Sequence, residues 1–142
     1  MKKKTEAKFK LLRISTEEFA ILEPIHPREE MLEFNLKIHF AISDQDEQIA
    51  CITVIELSTK LKSILKLKNI VEFEVKPDDW QNFRNKNKII IPKDLLAHLA
   101  MISVGTTRGV LHSKTEKTDY QLFTLPLIDV VDLIKEDEVV EI

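Results

Sequence analysis

Glycine is nearly absent: Gly105 and Gly109 are the only two in 142 residues. Phosphate-cradling loops and dinucleotide fingerprints need glycine where backbone approaches a ligand, so both are excluded. Hairpins must turn instead on Asp, Asn, Gln or Ser, whose side chains bond to nearby backbone. One cysteine, Cys51, excludes a disulfide framework within the chain and makes a reducing compartment the default. Its plain reading is a small apolar residue inside a strand. No run approaches the roughly 20 apolar residues of a membrane span. The lysines of residues 1–6 are not followed by the apolar stretch of a signal peptide. The expectation is a cytoplasmic chain with no membrane insertion.

Catalytic patterns are missing as well. The histidines, His26, His39, His98 and His112, include no pair at i,i+4, and HExxH does not occur. A metal site would have to be assembled from distant segments. GxSxG does not occur, and Ser103 falls on a helical pattern as a close-packing residue. Asp78 and Asp79 follow Pro77 and read as helix-start chemistry rather than an acid/base pair. The expectation is a protein without enzymatic activity, cofactor or metal. The net charge of −3, from 21 basic and 24 acidic residues, lacks the basic footprint of a nucleic-acid binder.

What is present is one domain's worth of periodic apolar sequence. A chain of this length can bury roughly 70% of its unfolded surface, and 44% of the residues are hydrophobic. Residues 9–23 read as extended, with Ser15-Thr16-Glu17-Glu18 bending or bulging the strand rather than starting a helix ahead of Pro24. Residues 24–30 form a loop. Phe34, Leu36, Ile38, Phe40 and Ile42 then alternate with polar or small residues, the pattern of an antiparallel strand with one covered face. After a polar turn at residues 44–47, a second strand at residues 49–57 is apolar at nearly every position, and the two pair as a hairpin. Apolar character on both faces of this strand points to a contact beyond the core.

Residues 58–69 alternate lysine with aliphatics and read as either a strand or a crossover. Val71, Phe73 and Val75 mark another strand, and Pro77 starts a turn or short helix carrying Trp80 and Phe83. Residues 84–88 read as a polar loop. From Pro92 the apolar spacing becomes helical, predicting a helix over residues 93–113. Gly105 and Gly109 each cost it about 1 kcal/mol relative to alanine, which close packing on a sheet or on a partner would offset. A polar loop, an extended apolar linker at residues 122–126 and a short helix capped by Asp129 follow. Residues 1–8 and 136–142 are expected to be mobile tails of a single 1–142 domain. The fold class is α+β: an antiparallel sheet of about four strands, with a long C-terminal helix and a short final helix on one side.

The C-terminal half carries a resemblance. Leu95-Leu96-Ala97-His98-Leu99 leads into Ile102-Ser103-Val104-Gly105-Thr106-Thr107-Arg108-Gly109-Val110-Leu111. Later, Leu122-Phe123-Thr124-Leu125-Pro126-Leu127-Ile128-Asp129 leads to Val131-Asp132-Leu133-Ile134. This resembles the end of the SecB export chaperones: a long helix with a small-residue and arginine segment, a threonine-containing loop, and an apolar stretch with a proline before the last helix. The two hairpin strands and an aliphatic crossover over residues 57–75 match the family's order of elements.

The resemblance implies an ATP-independent holder of unfolded or partly folded polypeptides, assembled as a homo-oligomeric dimer of dimers. It also implies a translocase motor, or a toxin or antitoxin protein, as further partner. Phe40, Ile42, Cys51, Ile55, Leu61, Ile64, Leu65 and Leu67 are the expected lining of a client groove, with ordinary core or interface as the competing reading. Ile102, Gly105 and Gly109 are the expected oligomer contact. The acidic C-terminus and lysine-rich crossover depart from the export members, which weighs against translocase delivery. The alternative is an adaptor of the same fold with one dedicated partner and no holding activity.

Overall fold

The computed structural model describes residues 7–22, 33–60, 62–118 and 129–142. Leu61, the loop at 24–30, the linker at 122–126 and most of the N-terminal tail lie outside them. In chain order the elements are β1 (Phe9–Ile21), β2 (Glu33–Ser43), β3 (Gln48–Ser58), β4 (Ser63–Val75), α1 (Pro77–Gln81), β5 (Arg84–Asn85), β6 (Lys88–Ile91), α2 (Lys93–Thr115), α3 (Val130–Leu133) and β7 (Glu138–Glu141). The four long strands form one antiparallel sheet in the order β1-β4-β3-β2. The architecture is α+β, as the sequence predicts.

Period-2 patterning decides the two faces. Ile49, Cys51, Ile55 and Leu57 of β3 point to the same side as Leu65, Leu67, Val71, Phe73 and Val75 of β4, and all are buried. Phe34, Leu36, Ile38, Phe40 and Ile42 of β2 join that side half-buried. α2 supplies the cover: Leu96, Leu99, Ala100, Ser103, Val104, Thr107, Leu111 and Thr115 recur at helical spacing and are buried. The helix runs two residues beyond its predicted end.

The lysine-rich segment is not a crossover. Residues 63–75 form one strand inside the sheet, paired on both sides. Its aliphatic residues other than Ile70 are buried in the core. Its charges face the other way and meet opposite charges on β1: Lys66 with Glu18 at 3.6 Å, Lys68 with Glu17 at 3.5 Å, Glu74 with Lys10 at 3.8 Å, and Glu72 with Arg13. Surface pairs of this kind contribute at most about 1 kcal/mol each. Their effect is on register, because a one-residue slip would put apolar residues on the charged face.

A polar row crosses the middle of the core. Thr16 donates to Asn69 Oδ1 at 3.3 Å, Asn69 Nδ2 donates to Thr107 Oγ1 at 3.2 Å, and Thr107 donates to the Ser103 carbonyl at 2.6 Å. Buried polar groups are costly unless bonded, so this chain fixes where α2 sits on β4.

Two further expectations are corrected. Residues 84–88 form a hairpin, β5-β6, with Lys86 at a positive φ of 59°. Within the segment expected to be a mobile tail, Glu138–Glu141 is strand β7, paired with β6. β6 has an edge to offer, and the β-branched Val139-Val140 suits a strand.

Candidate binding surface

β1 is an edge strand with two interruptions. Its register with β4 shifts between Leu11 and Arg13 and again between Thr16 and Glu18, leaving Leu12 and Glu17 as extra residues. The second shift lies where the sequence predicts a bend. The bulges put Leu11, Ile14 and Ile21 on the core side of the sheet, opposite Phe73, Val71 and Leu65. The helix layer does not cover them. Leu11 is 42% exposed, Leu12 40%, Ile14 47%, Ile21 41% and the adjoining Leu22 53%. At one end of the row Phe9 packs edge-on against Phe73 at 5.7 Å and His98 at 5.3 Å, and between Ile14 and Ile21 Lys114 lies 5.5 Å from the Phe19 ring centre. The result is an apolar row along one sheet edge in two exposed groups, Leu11, Leu12 and Ile14 in one and Ile21 and Leu22 in the other, with Thr16 and the half-buried Phe19 between them.

The solvent side of α2 is a second apolar and small-residue surface. Met101 is 53% exposed, Gly105 and Gly109 are exposed, and Ile102 is half-buried beside them. A Cβ added to either glycine would meet nothing within 4 Å. Close packing on the chain's own sheet therefore does not account for the glycines.

The other residues expected to form a groove are placed differently. Cys51, Ile55, Ile64, Leu65 and Leu67 are between 0 and 3% exposed and belong to the core, while Phe40 and Ile42 are half-buried on β2. Leu61 lies outside the described residues. The five buried side chains have no surface to offer a ligand while the helix layer is in place. Burial also pushes the Cys51 thiol above its ordinary pKa, with a smaller opposing effect from Ser103, which keeps it protonated and inert. The two-faced apolar character of β3 has a separate origin. Ala50, Ile52 and Val54, with Ile70 of β4, form a half-buried patch on the opposite face of the sheet.

At the hairpin end, Asp44 Oδ1 accepts from Trp80 Nε1 at 2.8 Å and from Arg84 Nη2 at 2.8 Å, tying the β2–β3 turn to α1 and β5. This is a structural tie. Among the described residues, no group of three His, Cys, Asp or Glu side chains is placed to hold a metal. No described helix is long and apolar enough to cross a membrane.

The β1 strip was not singled out from the sequence. Its signal is the broken alternation of Phe9, Leu11, Leu12 and Ile14, where two adjacent leucines interrupt period 2. Such a break marks a bulge, and bulges favour edges.

No family model matches the chain, and no curated protein matches it. Among solved structures, a SecB-like chaperone of Mycobacterium tuberculosis, in complex with a ChAD peptide from the HigA1 antitoxin, aligns with it at 11% identity. The alignment covers 87% of this chain and 90% of that one, with a TM-score of 0.45.

Proposed function

We propose that this chain binds unfolded or partly folded polypeptides without nucleotide, as a non-enzymatic, SecB-like holding protein of the cytoplasm. The observation that carries the reading is the strip Leu11, Leu12, Ile14, Ile21 and Leu22, apolar and 40–53% exposed along an edge strand. Large apolar side chains exposed together along one strand edge are the material of an interaction site. An edge strand adds unpaired backbone groups that an extended chain can meet. The attraction is non-directional, so it suits clients that share no sequence.

The solvent side of α2 serves self-association in this reading. Ile102, Gly105 and Gly109 form the contact through which α2 meets a second copy, as the sequence resemblance implies for a dimer of dimers. Phe40 and Ile42 offer a separate half-buried surface on β2, at the opposite edge of the sheet. Cys51, Ile55, Ile64, Leu65 and Leu67 become part of it only when the helix layer lifts.

A second reading, an adaptor with one dedicated partner such as a toxin or antitoxin protein, is favoured by the burial of those five residues. It leaves a confined surface rather than a long open groove. Aggregation of a denatured, slowly folding client, followed with and without the protein in nucleotide-free buffer, separates the two. Suppression at near-stoichiometric amounts supports holding. No suppression by the folded protein removes that reading and leaves the adaptor.

A further inference from the structure

Residues 137–142 lie on β6 as a bound peptide would. The pairs are Lys88 with Glu141, Ile89 with Val140, Ile90 with Val139 and Ile91 with Glu138, and the Ile142 N–H reaches the Asn87 carbonyl at 2.9 Å. At the other end, Asp137 Oδ1 accepts the backbone N–H of Lys93 at 2.8 Å. Lys93 opens α2, and the residue before it is Pro92, which provides no side-chain cap. A carboxylate from 44 positions along the chain fills that role, where a helix N-terminus favours negative charge. Between these two anchors, Val140 is half-buried against the core opposite the fully buried Ile89, while Val139 and Ile142 are exposed.

Three separate recognition features therefore act on one short segment: a backbone ladder, one apolar side chain and one carboxylate. Strand-addition peptide sites are built from the same features. The hold is slight compared with the main sheet, since β7 brings four residues to its ladder and β2 brings eleven. Short edge strands with exposed side chains belong to the part of a fold that opens most easily.

We propose that the β6 edge and the first turn of α2 form a peptide-acceptor site, occupied here by the chain's own residues 137–142. An extended segment of a partner polypeptide, with a carboxylate three residues ahead of a β-branched residue, takes the same place. β7 then acts as a tethered occupant that such a partner displaces. The site is separate from the β1 strip, and it stands whether or not the chain holds unfolded clients.

The test uses the full chain with its own strand weakened, Val140→Asp, which puts a charge where Val140 meets the core. A synthetic peptide with the sequence of residues 135–142 is titrated into the isotope-labelled variant, and backbone amide signals are followed. Saturable shifts are expected at Ile89 and Ile91, whose N–H groups face β7, and at Lys93. Binding to the unsubstituted protein should be at least about tenfold weaker, because the tethered strand competes at a millimolar effective concentration. A peptide carrying Ala in place of Asp137 should bind roughly fivefold less well, because the Lys93 N–H then loses its acceptor. Absence of shifts at those three amides in the folded variant overturns the proposal, and so does equal binding of the Ala peptide. Should Val140→Asp fail to fold, hydrogen exchange on the unsubstituted protein decides. A Val140 amide, which faces Ile89 in the ladder, exchanging roughly 100-fold faster than those of Ile52 and Val71 supports an exchangeable strand, and equal protection refutes it.

Discussion

Replacing Ile14 by serine should abolish much of the client binding at little cost in stability, whereas replacing Ile64 by serine should do the reverse. Full burial of an isoleucine side chain is worth about 1.5–3 kcal/mol. Ile14 is 47% exposed, so about half of that is realised, and its loss should cost about 1 kcal/mol. Ile64 is 1% exposed. Truncating it forfeits the whole transfer term and leaves a cavity, about 2–5 kcal/mol for a change of this kind, and the serine hydroxyl adds about 1–3 kcal/mol if it finds no partner. Against a total stability of about 5–15 kcal/mol, the first change is tolerable and the second is severe. Urea unfolding gives the stability of each variant, and client aggregation gives its holding activity. The reasoning fails if Ile14→Ser lowers the urea midpoint as far as Ile64→Ser does, or if a folded Ile14→Ser holds clients as well as the parent chain.

Gly105→Ala should raise the stability of the isolated chain by up to about 1 kcal/mol, since helix propensity improves and the added methyl meets nothing. If α2 contacts a second copy there, the same change should lower the mass measured by light scattering. Asp44→Ala should cost about 1–3 kcal/mol by stranding the buried Trp80 Nε1–H, and it should shift the emission of the chain's one tryptophan. Cys51 should resist alkylation in the folded protein at mildly alkaline pH, because burial raises its pKa and blocks access, and it should react fully in urea. Rapid labelling of the native protein would show that the helix layer opens readily.

Much of the fold can be read from period alone. β2 and β3 follow from the alternation of Phe34 to Ile42 and from the short polar turn after it, and α2 follows from the change to helical spacing after Pro92. β4 was ambiguous because its lysines suggested a solvated connection. Their partners, Glu17 and Glu18, lie some 50 residues away, and pairing at that separation leaves no local trace. β7 was missed for a similar reason: Val139-Val140 between acids looks like a tail until the edge of β6 is known.

The site was less legible than the fold. Cys51, Ile55, Leu65 and Leu67 have the composition of an apolar groove, but composition does not say which face a helix covers. The strip on β1 depends on two bulges and on how far α2 reaches across the sheet. Neither is a property of a single segment.

Methyl signals of Leu11, Leu12, Ile14 and Ile21, followed by NMR as an unfolded polypeptide is added without nucleotide, test the central claim most directly. Binding through the β1 strip should shift or broaden these four first, ahead of Leu67 and Ile55 in the core. A client that binds with those signals unchanged would contradict the assignment of the surface. A folded chain showing no client binding under any of these conditions would contradict the function.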